Sequence, residues 1–282
     1  MKRYAEHLRG LAARVAVVAL LSAPGCWSGD FVVARVRSQG GSSGTGDGGS
    51  AGMPSAGALA SAGASGETGA PTRSCNGTVL FVVGPDPLTR GDSAILDRLR
   101  GLGFVVSIIS ATDVTTQSAE DVDLAFISRS VRSPEVNASF RDLPTPLFVT
   151  EHALYSSLGM TGEQPEDSGV DTLSVTDLTI VDATHPLAAG LSGTVTVLQP
   201  GKGQYGFGVP GPGAVVVANL VDETRGAAIF AYDEGSDMVG LVAPARRIGW
   251  FLDIQAATRF TPEGWKLFDA AVEWTAGRCA SP

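Results

Sequence analysis

The sequence predicts an α/β domain with a largely parallel central sheet, to which an antiparallel, β-rich second half is added. Two observations support this fold class. Apolar, β-branched runs alternate with helical patterns up to about residue 158, and short runs separated by Gly, Pro and Asp turns follow them. About 200 residues follow Ser74, which is enough for one well-buried domain. We therefore assign residues 75–282 to a single α/β domain.

Four apolar runs in the first half are predicted as strands, with helix signals between them. Asp92 and Ser93 open a helix after the first run, and Gly101 closes it. A short helical stretch at residues 152–158 follows the fourth run. The four predicted strands are residues 78–83, 104–109, 123–127 and 147–150.

The second half is predicted as strands joined by turns, followed by one C-terminal helix. Thr261 is placed as the N-cap of that helix, Pro262 at its first position and Gly277 as its stop. Trp265 and Phe268 lie on its apolar face, which we expect to pack on the sheet. The strands either extend the sheet or form a meander beside it, and they are residues 173–181, 194–198, 214–220, 227–232 and 247–252.

The N-terminus has the pattern of an export signal. Residues 1–25 contain four basic side chains and a short apolar run, residues 15–23, which is too short to span a bilayer. Small residues then precede Cys26, an arrangement that resembles a lipobox, although Ala23 stands where that pattern usually has Leu. We expect Cys26 to carry lipid and to anchor an exported protein to the bacterial cell envelope. The alternative is plain secretion after cleavage at the same bond.

A flexible tether is predicted between the signal and the domain, at residues 26–74. Residues 38–74 are almost entirely Gly, Ser, Ala, Thr and Pro, so this tract cannot bury enough apolar surface to fold. As a random coil of about 37 residues it would span roughly 30–35 Å.

Charge argues against nucleic acid as a partner. Without residues 1–25 the chain has 16 basic and 28 acidic side chains, a net charge of −12, and no basic stripe. The expected partners are the membrane, through the lipid, and a carbohydrate or an envelope protein.

The cysteines predict one disulfide. If Cys26 carries lipid, Cys75 and Cys279 remain, and an exported protein rarely keeps unpaired thiols. The first strand of the predicted sheet would start at the edge where the last helix ends, which brings the two cysteines together. The alternative is two separate thiols.

Candidate site residues follow the predicted parallel strands, because open α/β sheets bind ligands beyond the carboxyl ends of their strands. Glu151 and His152 are the strongest pair, since two adjacent titratable groups could act as acid and base, bind a metal or contact a sugar. The alternative is that Glu151 only caps the following helix. The candidate ligand-binding residues are Asp86, Ser128, Arg129, Glu151 and His152, and the catalytic candidates are Glu151, His152 and Asp253.

The remaining motifs give weaker indications of function. His185 precedes Pro186 and is interpreted as shaping a loop. The segment 201–206 matches G-x-G-x-x-G, but Pro210 and Pro212 follow it instead of a helix, so we interpret it as a turn. No paired histidines or Cys-x-x-Cys spacing occur, so we expect no metal site and no cofactor.

Several segments resemble the ThuA-like branch of class I glutamine amidotransferase-like domains. They are Val-Leu-Phe-Val-Val-Gly ending at Gly84, Pro-Leu-Phe-Val-Thr-Glu-His ending at His152, and His-Pro-Leu-Ala-Ala-Gly-Leu starting at His185. Asp-Leu-Ala-Phe-Ile-Ser ending at Ser128 and the C-terminal helix also match. The resemblance implies a flavodoxin-like α/β sandwich and places His152 after a central strand. Amidotransferases need a cysteine nucleophile at a turn after a strand, which this chain lacks, so we expect no amidotransferase activity.

Two functions fit these observations. The first is a surface-tethered, noncatalytic domain that binds a partner or a carbohydrate-like ligand. The alternative is a hydrolase or sugar-modifying enzyme that uses Glu151 and His152.

Overall fold

A computed structural model describes residues 75–173, 176–201, 203–221 and 226–277 of the chain. The predicted signal, Cys26, the tether and Cys279 lie outside these ranges. The helices are α1 (Arg90–Gly101), α2 (Ser133–Val136) and α3 (Pro262–Ala276). The strands are β1 (Thr78–Val83), β2 (Val105–Ser110), β3 (Leu124–Ile127), β4 (Leu147–Val149), β5 (Ser168–Leu173), β6 (Asp177–Ile180), β7 (Gly193–Thr196), β8 (Gly203–Gly208), β9 (Val215–Leu220), β10 (Ile229–Tyr232) and β11 (Arg247–Trp250).

One large sheet contains nine of these strands, in the order β2-β1-β3-β4-β11-β10-β9-β6-β7. The five strands from β2 to β11 are parallel, and every pairing from β11 to β7 is antiparallel. The predicted α/β fold class is therefore confirmed. Of the two arrangements left open for the second half, the structure has the extension of the sheet.

The core lies on both faces of the sheet, as the continuous apolar pattern of β1 predicts. Val79 and Phe81 face the side covered by α1 and α3, whereas Leu80 and Val82 face the other side. On the first side, Phe268 of α3 packs within 6.3 Å, between ring centroids, of several sheet aromatics. They are Phe126, Phe148 and Trp250.

Local signals set the helix ends. Thr261 caps α3 by accepting a hydrogen bond from the Gly264 N–H (3.0 Å), and Gly277 ends the helix at φ 63°, as predicted. The helix α1 begins two residues earlier than predicted. Thr89 is its N-cap, and Asp92 closes a capping box with it.

One strand prediction and one turn prediction in the second half are wrong. The segment predicted as one strand at residues 173–181 is divided between β5, which ends at Leu173, and β6, which starts at Asp177. The segment 201–206 is not a turn, because residues 203–208 form β8, which pairs with β5 in a separate two-stranded antiparallel sheet. Glycine has low strand propensity, so local pattern did not indicate a strand here.

Cys75 is fully buried next to β1, where its N–H donates to the Leu102 carbonyl (2.8 Å). Its pairing with Cys279 stays a prediction. Within the described ranges, no helix is long and apolar enough to cross a membrane.

Candidate functional site

The crevice where such folds usually bind ligands is closed in this protein. The strand order reverses at β1, because the chain goes from β1 to β2 on one side and then to β3 on the other. At the carboxyl ends of β1 and β3, the Gly84 N–H donates to Ser130 Oγ (2.9 Å), and a Cβ on Gly84 would lie only 2.2 Å from the Ser130 carbonyl oxygen. Close backbone packing therefore fills this crevice.

A buried polar network also occupies the ends of β1 and β3. The Ser128 hydroxyl donates to the Asp92 carboxylate, which also accepts the N–H and hydroxyl of Thr89 (3.2 and 2.7 Å). Ser130 donates to Ser128 Oγ from both its N–H and its hydroxyl, at 3.1 Å. Ser128 thus contacts the capping box of α1 through Asp92. Asp86 is exposed.

Glu151 and Arg129 form an ion pair that joins the loops after β4 and β3. Only 4% of the Glu151 side chain and 19% of the Arg129 side chain are exposed. The second Glu151 oxygen accepts the Ala153 N–H (3.0 Å), so Glu151 caps the short 3-10 helix His152–Leu154, as the alternative interpretation states. Burial raises the pKa of Glu151, opposed by the Arg129 charge and the Ala153 N–H.

His152 lies beside this pair and is neutral at pH 7. Its Nδ1 is 3.4 Å from Glu151 Oε1 and makes no hydrogen bond within the described part of the chain. Burial, helped by the positive charge of Arg129, lowers the pKa of His152 to about 4. A group with that pKa is a weak general base at neutral pH.

The ribbon of β5 and β8 covers the carboxyl ends of β4 and β11. The Gly206 N–H donates to the Phe251 carbonyl (3.1 Å), and a Cβ on Gly206 would lie 3.2 Å from the Cβ of His152. A Cβ on Gly203 would lie 2.3 Å from Asp253 Oδ2. The glycines of β8 therefore permit the ribbon to approach the strand ends closely.

Asp253 is separate from the other catalytic candidates. It lies under Gly203, and its Oδ2 is 3.9 Å from the Nη2 of Arg259, which donates to the Tyr205 hydroxyl (2.6 Å). His152 lies instead under Gly206, three positions along β8, a distance of roughly 10 Å along a strand. The contacts of the described residues do not bring Asp253 to Glu151 or His152.

An open cleft remains beside the 3-10 helix, and sequence reasoning missed it. Its volume is about 280 Å³, and its lining residues carry no charge; they are Ser133, Pro134, Asn137, Ala153 and Ser157. Asn137 has the unusual backbone angles φ 46° and ψ −130°, and its carbonyl accepts the Ser157 hydroxyl (3.3 Å). The only signal in the sequence was an Asn after a short Pro-containing helix, since Asn adopts positive φ more readily than most residues.

The remaining candidates have structural roles. His185 caps the 3-10 helix Pro186–Ala188, its Nδ1 accepting the Leu187 N–H (3.3 Å), and its ring contacts Trp274. Among the residues that the structure describes, no group of three or more His, Cys, Asp or Glu side chains could hold a metal ion.

Solved structures with a similar fold share little sequence with this chain. They include a ThuA-like protein. That protein, from Bacteroides uniformis, has 8% identity and a TM-score of 0.47, over 70% of this chain and 90% of its own. A protein assigned to GMP synthase, from Thermoplasma acidophilum, has 14% identity and a TM-score of 0.47, over 71% and 95%. A glutamine amidotransferase from Thermotoga maritima has 11% identity and a TM-score of 0.37, over 70% and 81%.

No protein-family model and no curated protein sequence matches this chain. Two of the solved structures, the ThuA-like protein and the glutamine amidotransferase, carry names from the group that the sequence resembles.

Proposed function

We propose that this protein is a surface-tethered, noncatalytic α/β domain of an exported bacterial lipoprotein, which binds a ligand or a protein partner. The observation that carries this proposal is the covered carboxyl edge of the parallel sheet. There the β5–β8 ribbon lies over His152 and Asp253, and backbone packing fills the crevice at Gly84.

The charges at this edge support binding over catalysis. Both Glu151 oxygens are committed, one to Arg129 and one to the Ala153 N–H. His152 has a pKa of about 4, too low for an efficient base at neutral pH. Cys75 lies before β1, so it does not occupy a nucleophile turn at a strand end.

The uncharged cleft next to Asn137 is where a ligand has room. The Ser133 hydroxyl and the Asn137 amide can both donate and accept hydrogen bonds. The Ser157 hydroxyl donates to the Leu154 and Asn137 carbonyls, so it offers a ligand only an acceptor, while Pro134 and Ala153 supply apolar contact. This combination suits a neutral, hydroxyl-rich group such as one ring of a carbohydrate.

The alternative is a hydrolase or sugar-modifying enzyme that uses Glu151 and His152. One observation favours it: both groups are buried side by side at a strand end and have perturbed pKa values, which is common at active sites.

Two measurements separate these functions. We expect the purified protein to show no turnover of glutamine, ester or glycoside substrates, and we expect NMR titration with a panel of neutral saccharides to shift signals of the cleft residues. Ala153→Phe, which fills the cleft, should weaken that binding at least about tenfold. Ala183→Phe, at another exposed alanine, should leave it unchanged. Turnover that disappears in Glu151→Gln would favour the enzyme instead.

A further inference from the structure

The strand β2 forms one edge of the large sheet and is unusually exposed. Within the described residues it pairs only with β1, and its sequence, Val-Val-Ser-Ile-Ile-Ser, has no charge. Val105 is 68% exposed and Ile108 is 43% exposed. These two residues belong to opposite faces of the strand, so apolar surface is exposed on both sides.

The outer edge of β2 carries a regular set of hydrogen-bonding groups. The Val105 N–H donates to the Gly77 carbonyl (2.9 Å), on the β1 side. Because parallel pairing is continuous along β2, alternate residues direct their backbone groups away from β1. These residues are Val106, Ile108 and Ser110.

The two edges of the sheet are protected very differently. At the other edge, β7 has only four residues, the Thr196 carbonyl accepts the Thr261 hydroxyl (2.8 Å), and the Val197 carbonyl accepts the Thr261 N–H (3.0 Å). Edge strands are commonly protected by Lys, Pro, a bulge or a covering segment, and β2 has no Lys, Pro or bulge. An edge of this kind is suited to pairing with another strand.

We propose that β2 pairs antiparallel with β2 of a second copy of this chain, about a two-fold axis at Ser107. In this register Val106 faces Ile108 of the second copy and Val105 faces Ile109 of the second copy. Val106 and Ile108 have the outward N–H and C=O groups, so they form the hydrogen-bonded pairs. Ser107 faces Ser107 of the second copy as the non-hydrogen-bonded pair.

Symmetry favours a second copy as the occupant, and the lack of charge on β2 favours this edge as the place of contact. Thirteen basic and 25 acidic side chains follow Ser74, so two copies repel each other over most of their surfaces. The uncharged β2 edge avoids that cost, and in the proposed register β-branched side chains face one another. A two-fold pairing also uses both β2 edges and closes the assembly as a dimer.

The size of the contact predicts a weak dimer. A standard interface uses about 20–30 residues on each side, and β2 offers only six. Association should therefore depend on protein concentration.

The test uses the exported chain carrying Cys26→Ser, which removes the predicted lipid. Sedimentation equilibrium up to about 1 mM should show the mass rising from one chain to two. Amide exchange at Val106, Ile108 and Ser110 should slow at least about tenfold at high concentration. Ser107→Lys and Ser107→Glu, which place like charges opposite each other, should each raise the dimer dissociation constant at least about tenfold.

Mixing the two variants pairs opposite charges at the axis, so equal amounts of Ser107→Lys and Ser107→Glu should restore association. Restored association also shows that both variants are folded. Ser192→Lys, at an exposed serine beside β7, is the matched control and should dimerise as the unmodified chain does. A monomer at every concentration, whether its β2 amides are protected or not, would overturn the proposal. So would a dimer that is insensitive to both Ser107 variants.

Discussion

The carboxylate of Glu151 lies against the guanidinium of Arg129, and this ion pair connects the loops that follow two adjacent parallel strands, β4 and β3. Both side chains are largely buried, and Glu151 also accepts a hydrogen bond from the N–H of Ala153. The pair therefore connects the two strand ends, and each Glu151 oxygen accepts a hydrogen bond within the protein.

Glu151→Gln should destabilise the protein, because it leaves the Arg129 charge partly buried without a carboxylate. We expect the free energy of unfolding to fall by about 3 kcal/mol in urea titrations, because the ion pair with Arg129 is lost. The glutamine oxygen can still accept the Ala153 N–H, so the cap of the 3-10 helix is kept. The double variant Arg129→Met with Glu151→Gln removes both charges and should recover part of the loss. A change below about 0.5 kcal/mol in the single variant would contradict this account.

Stability should fall in acid because of His152. Its pKa is about 4 in the folded state and near 6.5 when unfolded, so its contribution is complete above pH 6.5 and is lost as the pH falls towards 4. The raised pKa of Glu151 acts in the opposite direction, and Arg129 faces both groups. Comparing His152→Gln with the unmodified chain between pH 4 and 6.5 isolates the histidine, which should account for up to roughly 3 kcal/mol. If the stability of the two chains depended on pH in the same way, His152 would make no such contribution.

Gly203→Ala should disturb the β5–β8 ribbon, because the added Cβ would lie 2.3 Å from Asp253 Oδ2. We expect a loss of about 2 kcal/mol in thermal unfolding and faster proteolysis in the ribbon. Gly101→Ala is the control. A Cβ there meets no atom within 4 Å, so this change in α1 should be neutral or stabilising. Equal stability of the two variants would argue against close packing of the ribbon.

Cys75 and Cys279 should form a disulfide in the exported protein. Mass spectrometry after alkylation should find neither thiol modified unless a reductant is present, and an experimental structure should place their Cα atoms within about 7 Å. Because the bridge closes a loop of about 200 residues, Cys75→Ser should lower stability by up to about 5 kcal/mol. Alkylation of both cysteines without reduction would show that the bridge is absent.

Cys26 should be the N-terminal residue of the mature protein and carry lipid. Mass spectrometry of the membrane fraction should find the acylated cysteine, and Cys26→Ser should move the protein out of that fraction. Unmodified Cys26 in the culture supernatant would instead identify a secreted protein.

Elements with local signals could be predicted from the sequence. The β1 strand is a continuous apolar run. The ends of α3 are set by Thr261, Pro262 and Gly277, which lie at those ends, so a local pattern is enough to predict them. The β8 strand could not be predicted in this way. Its glycines are explained by His152 and Asp253, each about 50 residues away in the chain, and a local pattern contains no information on such contacts.

The same distinction applies to the site. The capping role of Glu151 follows from its position before a short helix and was one of the two interpretations offered. Its pairing with Arg129 depends on β3 and β4 being neighbours in the sheet, and the closed crevice depends on the approach of Ser130 to Gly84. Both are tertiary features. The sequence therefore predicts that the candidate residues lie at the carboxyl edge of the parallel strands, but it does not predict that this edge is covered.

The place of β11 in the sheet has a consequence for how the protein folds. Among the residues that the structure describes, β11 is the last strand, yet it lies between β4 and β10 and links the parallel strands of the large sheet to the antiparallel ones. Until β11 (residues 247–250) has joined the sheet, β4 and β10 each have an edge without a partner strand. Assembly therefore depends on contacts between residues about 100 positions apart, such as Leu147 and Arg247. Contacts between residues so distant in the chain slow folding, so we expect the two unpaired edges to persist in a folding intermediate until β11 is in place.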